Sequence, residues 1–128
     1  MQEKIKEKGH KLGLDKVVCF YGTSSEINNW LQAMDLYLFP SLYEGLPVSG
    51  IEAQASGVQI LASNTISSEL EITDCINWMK LEQSSEQWAE KALELMKQRN
   101  SRDTQKKIQK AGYDIKVTAE ELKTIYEK

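Results

Sequence analysis

The amino-acid sequence predicts an α/β fold: a parallel sheet of about four strands, helices on both of its faces, and a helical C-terminal tail. Three observations predict it. Strand-like and helix-like stretches alternate through residue 99, the pattern of successive βα units. The strand-like stretches are continuous apolar runs, as expected of strands buried on both faces. The remainder of the chain carries helical periodicity and no strand signal.

Residues 2–12 place Ile5, Lys8 and Leu12 on one helical face, and Gly13 is positioned to end that helix. Val17 to Tyr21 is an apolar, β-branched run stopped by Gly22, which predicts the first buried strand. Ser24 or Ser25 caps a helix carrying Ile27, Trp30, Leu31 and Met34. Leu36 to Phe39, ended by Pro40, predicts the second strand, and Val48 to Ser56 a helix stopped by Gly57. Gln59 to Ala62 predicts the third strand. A polar turn at Asn64 to Ser68 leads to a single helical turn near Glu69 and Leu70, then to a fourth strand at Ile76 to Leu81. Ser84 or Ser85 caps a helix with Trp88, Ala92, Leu95 and Met96 on one face, ending near Asn100. Further helices fit Asp103 to Ala111 and Ala119 to Glu127. The expected division is a partial sheet domain over residues 1–99 and a helical tail over 100–128.

The 128 residues, 41% of them apolar, amount to one domain with a modest core. Sixteen Lys and Arg against nineteen Asp and Glu give a net charge of −3, so no overall field favours a nucleic-acid partner. Apolar runs fall far short of the ~18 residues of a membrane span, and the start of the chain lacks a signal peptide's apolar stretch, so a cytoplasmic location is expected. Cys19 and Cys75 lie in no metal-binding spacing and read as two thiols without a disulfide. His10, near a helix end among lysines, reads as exposed and non-catalytic, and Trp30, Trp78 and Trp88 as packing residues.

The charges are sharply divided. From Val17 to Met79 there is no Lys or Arg, while Glu26, Asp35, Glu44, Glu52, Glu69, Glu71 and Asp74 all fall there. An anionic ligand held by this stretch must rely on backbone N–H groups or on charge from elsewhere.

One constellation carries chemistry. Glu44 falls in the loop after the second strand and Glu52 about one turn inside the following helix, where a doubly wound sheet binds ligands. Gly45 lets backbone approach a ligand closely, and Pro47 suits a helix's first turn. A carboxylate can accept one hydrogen bond at each oxygen from a vicinal diol, so two such groups suggest a sugar nucleotide. The plainer alternative is that Glu44 favours the helix dipole and Glu52 forms a surface pair.

The two glutamates, after the strand end Phe39-Pro40-Ser41 and before Ala53-Gln54-Ala55-Ser56-Gly57, resemble the signature of family 4 retaining glycosyltransferases. Glu44-Gly45-Leu46-Pro47 and Ser63 to Glu69 are closest to the branch of capsular and exopolysaccharide synthesis, and the likeness runs from about Leu12 to Glu94. The resemblance implies an enzyme of two Rossmann-like domains (the GT-B fold) facing a cleft, this chain matching the later part of the donor-binding domain. It implies that Glu44 is the catalytic-site carboxylate meeting the donor hexose and that Glu52 binds the ribose hydroxyls. The backbone of Gly45, Leu46 and Val48 would meet the hexose and diphosphate. It implies no metal and no cofactor, and retention of anomeric configuration without a carboxylate nucleophile. Tyr43 either packs beneath the loop or stacks on the nucleotide base, packing being favoured. Thr65, Ser67 and Ser68 either contact the donor's base or phosphate or serve only their turn.

Against the family pattern, the acceptor domain and the first two strands of the donor domain are absent, and with them the Arg and Lys that neutralise the diphosphate. Lys16 is the nearest candidate replacement, but it precedes a strand and so belongs at the sheet's opposite end. In the family's sheet order the two absent strands lie between the first and second strands of this chain. The chain is therefore expected to be a truncated or split gene product, partnered by an acceptor-domain polypeptide or by itself through the incomplete sheet. Membrane contact is expected only through the absent domain. The expected activity is transfer of a hexose from a nucleotide sugar to a surface polysaccharide or lipid-linked acceptor, with the isolated chain inactive. The alternative is a catalytically silent remnant serving as an interaction subunit.

Overall fold

The computed structural model describes residues 2–98 and 103–127. Its elements are α1 (Gln2–Lys11), α2 (Ile27–Ala33), β1 (Leu36–Phe39), α3 (Val48–Ser56), β2 (Gln59–Ser63), a 3₁₀ turn (Ser68–Leu70), β3 (Ile76–Met79), α4 (Ser85–Leu95), α5 (Thr104–Lys110) and α6 (Ile115–Tyr126). The three strands form one parallel sheet in the order β1-β2-β3, with Leu36 opposite Gln59 and Ile60 opposite Ile76. The architecture is that of a partial Rossmann-like α/β fold.

The central strand explains the layering. All five residues of β2 are buried, and because side chains alternate along a strand, Ile60 and Ala62 join one cluster while Leu61 faces the other way. That cluster also takes Leu31 from α2, Ile51 and Ala53 from α3, Leu70 from the 3₁₀ turn and Ile108 from α5. On the sheet's other side α4 lies against β1 and β2 and contributes the buried Leu95. The ends of α3 follow local punctuation. Pro47 precedes its first residue in extended backbone, and Gly57, at φ 81°, takes the left-handed conformation that closes it, its N–H donating to the Gln54 carbonyl. Ser84 and Gln87 form a reciprocal capping box at the start of α4.

Two expectations are corrected. Val17 to Tyr21 is not a strand, so the sheet has three strands among the described residues rather than about four. A strand needs a neighbour to pair its backbone, and no strand of the sheet lies beside this run. Its side chains fold onto helices instead: Tyr21 meets Trp30 edge-on at 4.2 Å, and the Lys6 ammonium lies 5.8 Å from the Phe20 ring centre. Val17 remains 77% exposed. The last helix begins at Ile115, four residues before the periodicity suggests, because the Asp114 carboxylate accepts the Lys116 N–H and caps it there. The boundary expected at 99/100, and the α4 end expected near Asn100, lie outside the described residues, and α4 closes at Leu95.

α5 is tied to the sheet domain. Thr104 is buried with its hydroxyl donating to the Ala55 carbonyl, and Lys107 forms an ion pair with Asp74 at 2.9 Å. The Lys107 hydrogen bond, followed by Asp74's own backbone N–H, holds the Asp74 carboxyl below its ordinary range. The same bond raises the Lys107 ammonium above its ordinary value. A depressed carboxylate stabilises the fold above its unfolded-state pKa and loses that contribution as pH falls through the folded one. The protection of the α5 amides, measured relative to their intrinsic exchange rates, should therefore fall in acid below about pH 4, and Asp74→Asn should abolish the acid-dependent part. The effect should be small, since both side chains are largely exposed.

Candidate functional site

The loop from Pro40 to Pro47 leaves the carboxyl end of β1 and enters α3, and the end of β2 holds it. Ser63, the last residue of β2 and fully buried, donates its hydroxyl to the Ser41 carbonyl. The Thr65 hydroxyl donates to the same carbonyl at 2.8 Å. Ser41 in turn donates its own hydroxyl to a carboxylate oxygen of Glu44 at 3.0 Å. The Glu44 carbonyl accepts the Ser67 N–H at 3.1 Å, and residues 44 and 66 form an isolated parallel bridge. Glu44 is thus fixed through both its side chain and its backbone, and it is half-buried.

The start of α3 is open. Pro47 supplies no side-chain cap, so the first N–H groups of the helix lack the partner that Ser, Thr, Asp or Asn would give. Val48 is 68% exposed at that end. A helix start with uncapped N–H groups and a positive dipole end suits an anion, particularly a phosphate. Gly45 does not adopt a positive φ, and a Cβ built on it would meet nothing within 4 Å. Neither turn geometry nor packing requires glycine there, which fits a need for close approach from outside. Leu46 is exposed on the same loop.

Glu52 is exposed on α3 and makes no ion pair among the described residues, so the surface-pair alternative finds no partner. Tyr43 is 80% exposed and does not pack beneath the loop. Thr65 and Ser67 use their hydroxyls locally: Thr65 holds the Ser41 carbonyl, and Ser67 accepts the Glu69 N–H at the 3₁₀ turn. Ser68 is exposed. Beside the start of α3, an apolar cavity of about 430 Å³ lies between residues 19–24, α2, Tyr37 and Ser49, walled by Tyr21 and Trp30.

Other expected placements are simple. His10 is exposed and bonded to Asp15 at 2.9 Å. The three tryptophans are half-buried and each indole N–H is satisfied, by Ser24, Glu71 and the Lys80 carbonyl respectively. Cys19 is exposed, whereas Cys75 is buried with its thiol directed at the Gly57 carbonyl. No helix among the described residues is long and apolar enough to cross a membrane. The sequence reading missed Ser41 and Ser63 as parts of the site. Their signal is weak but present: a hydroxyl residue closely follows or ends each of two neighbouring parallel strands.

Comparison with known proteins places these features in a family. The family described as glycosyl transferases group 1 matches residues 1–114. EpsF of Bacillus subtilis (strain 168), named as a glycosyltransferase, is 34% identical over 87 residues, 67% of this chain and 23% of that protein. The lipopolysaccharide core biosynthesis mannosyltransferase LpsB of Rhizobium meliloti (strain 1021) is 33% identical over 63 residues, 49% of this chain and 18% of its own. The UDP-Gal:alpha-D-GlcNAc-diphosphoundecaprenol alpha-1,3-galactosyltransferase of Escherichia coli is 38% identical over 53 residues, 41% of this chain and 14% of its own. The chain therefore spans less than a quarter of the length of these relatives. No solved structure matches it.

Proposed function

Because the chain belongs to the group 1 glycosyl transferases, we propose that it is the donor-side portion of a retaining glycosyltransferase. Its reaction is transfer of a hexose from a nucleotide sugar to a growing surface polysaccharide or lipid-linked acceptor. The observation that carries this reading is the hydrogen-bonded loop that fixes Glu44 beside the uncapped start of α3. Hexose transfer and a lipid diphosphate acceptor are supported by the names of the mannosyl- and galactosyltransferase relatives.

In this reading Glu44 acts at the donor hexose, and Glu52 accepts hydrogen bonds from the two ribose hydroxyls. The N–H groups at the loop and helix start, from Gly45 through Val48, meet the hexose and diphosphate, with Pro47 unable to donate. Tyr43, Thr65, Ser67 and Ser68 lie on the flanking loops as further donor contacts. The acceptor hydroxyl attacks the anomeric carbon on the face that the phosphate leaves, which retains configuration without a covalent sugar–enzyme intermediate. The work is done in the cytoplasm, where nucleotide sugars are made, and residues 1–99 carry the donor side with residues 100–128 as its tail.

The partner is an acceptor-domain polypeptide or a second copy joined at the incomplete sheet. The free edge of β1 and the exposed Val17 to Tyr21 run support that, and they equally support the second reading, a silent interaction subunit. The test is a transfer assay with the purified chain, alone and with an acceptor-domain polypeptide. The chain alone should transfer no sugar, and the partner should restore transfer. Transfer by the chain alone would refute the donor-side reading, and a stable but inactive complex would establish the silent subunit.

A further inference from the structure

The two candidate carboxylates are held differently. Glu52 is exposed, and its side chain makes no hydrogen bond or ion pair among the described residues. Glu44 is half-buried and accepts the Ser41 hydroxyl on Oε1 at 3.0 Å. The backbone at both ends of that bond is fixed. The Ser41 carbonyl accepts the hydroxyl of Ser63 and, at 2.8 Å, that of Thr65, so both of its lone pairs are used. The Glu44 carbonyl accepts the Ser67 N–H at 3.1 Å, and Glu44 bridges Ile66 in parallel register.

These supports reach into the core. Ser63 is the last residue of the fully buried β2, and Ile66 belongs to the hydrophobic cluster beside the sheet. The Ser67 carbonyl accepts the N–H of Leu70, whose own carbonyl accepts the buried Gln54 amide. An alanine at 63 would fill the same place with no polar atom to satisfy, so the contribution of the hydroxyl is the bond it carries from β2 to the loop after β1. A glutamate side chain has several free torsions, and ordering them only when a ligand arrives subtracts from binding. The Ser41 hydroxyl orders the Glu44 carboxylate beforehand and leaves Oε2 without a hydrogen bond among the described residues.

We propose that Ser41 is a positioning residue: with its backbone held by Ser63 and Thr65, its hydroxyl orients the Glu44 carboxylate for recognition of the donor's sugar. The proposal rests on the donor-side reading above and deepens it by naming what sets the geometry of the carboxylate assigned to the hexose. Ser41 acts through Glu44, so its loss should weaken recognition of the sugar and spare the nucleotide diphosphate. A hydroxyl that only stabilised the loop would affect both alike.

The test compares the full chain with Ser41→Ala and Ser41→Thr by NMR. Ser41 is half-buried on a loop, so both variants should keep the parent spectrum elsewhere. The first readout needs no ligand: the order parameter of Glu44 Cγ should fall in Ser41→Ala and return in Ser41→Thr. Ser63→Ala should lower it less, since Thr65 still holds the Ser41 carbonyl. The second readout is the affinity for a uridine diphosphate hexose relative to uridine diphosphate, from ¹⁵N shifts at Gly45 and Val48 at low salt. Ser41→Ala should reduce that ratio about fivefold, leave uridine diphosphate itself unchanged, and add no further loss when Glu44 is already alanine. An order parameter unchanged in Ser41→Ala, or an equal loss for both ligands, overturns the proposal. An order parameter that falls as expected, with no shift at Gly45 or Val48 from either ligand, would keep Ser41 as the residue that orients Glu44 and overturn the donor-side reading.

Discussion

Replacing Gln54 by Leu is expected to destabilise the fold by about 2 kcal/mol or more, since the Thr73 N–H and hydroxyl both lose their acceptor and each buried polar group left without a partner costs about 1–3 kcal/mol. Gln54 is fully buried on α3 and spends both ends of its amide on the chain that follows β2. Its Nε2 donates to the Leu70 carbonyl at 2.7 Å and to the Gly50 carbonyl at 3.2 Å. Its Oε1 accepts from the Ile72 N–H, the Thr73 N–H and the Thr73 hydroxyl. Leu fills a similar volume, so the loss isolates the hydrogen bonds from the packing. Urea denaturation should show the midpoint falling with an unchanged slope. A loss below about 1 kcal/mol would mean that the 70–73 turn finds other partners.

The second large effect concerns chemistry. Glu52→Gln in a complete enzyme carrying this segment should lower activity at least tenfold, because hydrogen bonds to a charged group are worth about 1.5–3 kcal/mol each. The melting temperature should barely move, since Glu52 is exposed and makes no ion pair among the described residues. Donor KM is where the loss should appear first, as Glu52 is assigned to the ribose and not to the reacting sugar carbon. Unchanged donor affinity would return Glu52 to the role of a solvated helix residue.

These two residues lie two positions apart on α3, and the sequence discloses their roles unequally. The helix itself was legible because its ends are set locally, by Pro47 before it and Gly57 after it. The largely apolar runs of β1, β2 and β3 were legible for the same reason, each being bounded by turn residues, although only β2 is buried throughout and β1 is half-buried or exposed along its length. Val17 to Tyr21 has the same signal and forms no strand, because a strand depends on a neighbour that its own residues do not specify. The candidate loop shows the same limit. Glu44 and Gly45 stand out in the sequence, but the hydroxyl of Ser63 reaches the carbonyl of Ser41 across 22 positions, and only the parallel pairing of β1 with β2 brings them together.

The central claim is that the Glu44 loop and the start of α3 receive the donor, and that this chain alone supplies only part of the donor site. A ¹⁵N shift titration of the chain with a uridine diphosphate hexose at low salt tests both halves at once. The account predicts shifts at Gly45, Leu46, Val48 and Ser49 with weak affinity, because an uncapped helix start contributes only about 0.3–1 kcal/mol toward a negative charge. Shifts confined to other residues, or none, would contradict the site. A low-micromolar dissociation constant with shifts at those amides would show a self-sufficient donor site and contradict the claim that it is partial.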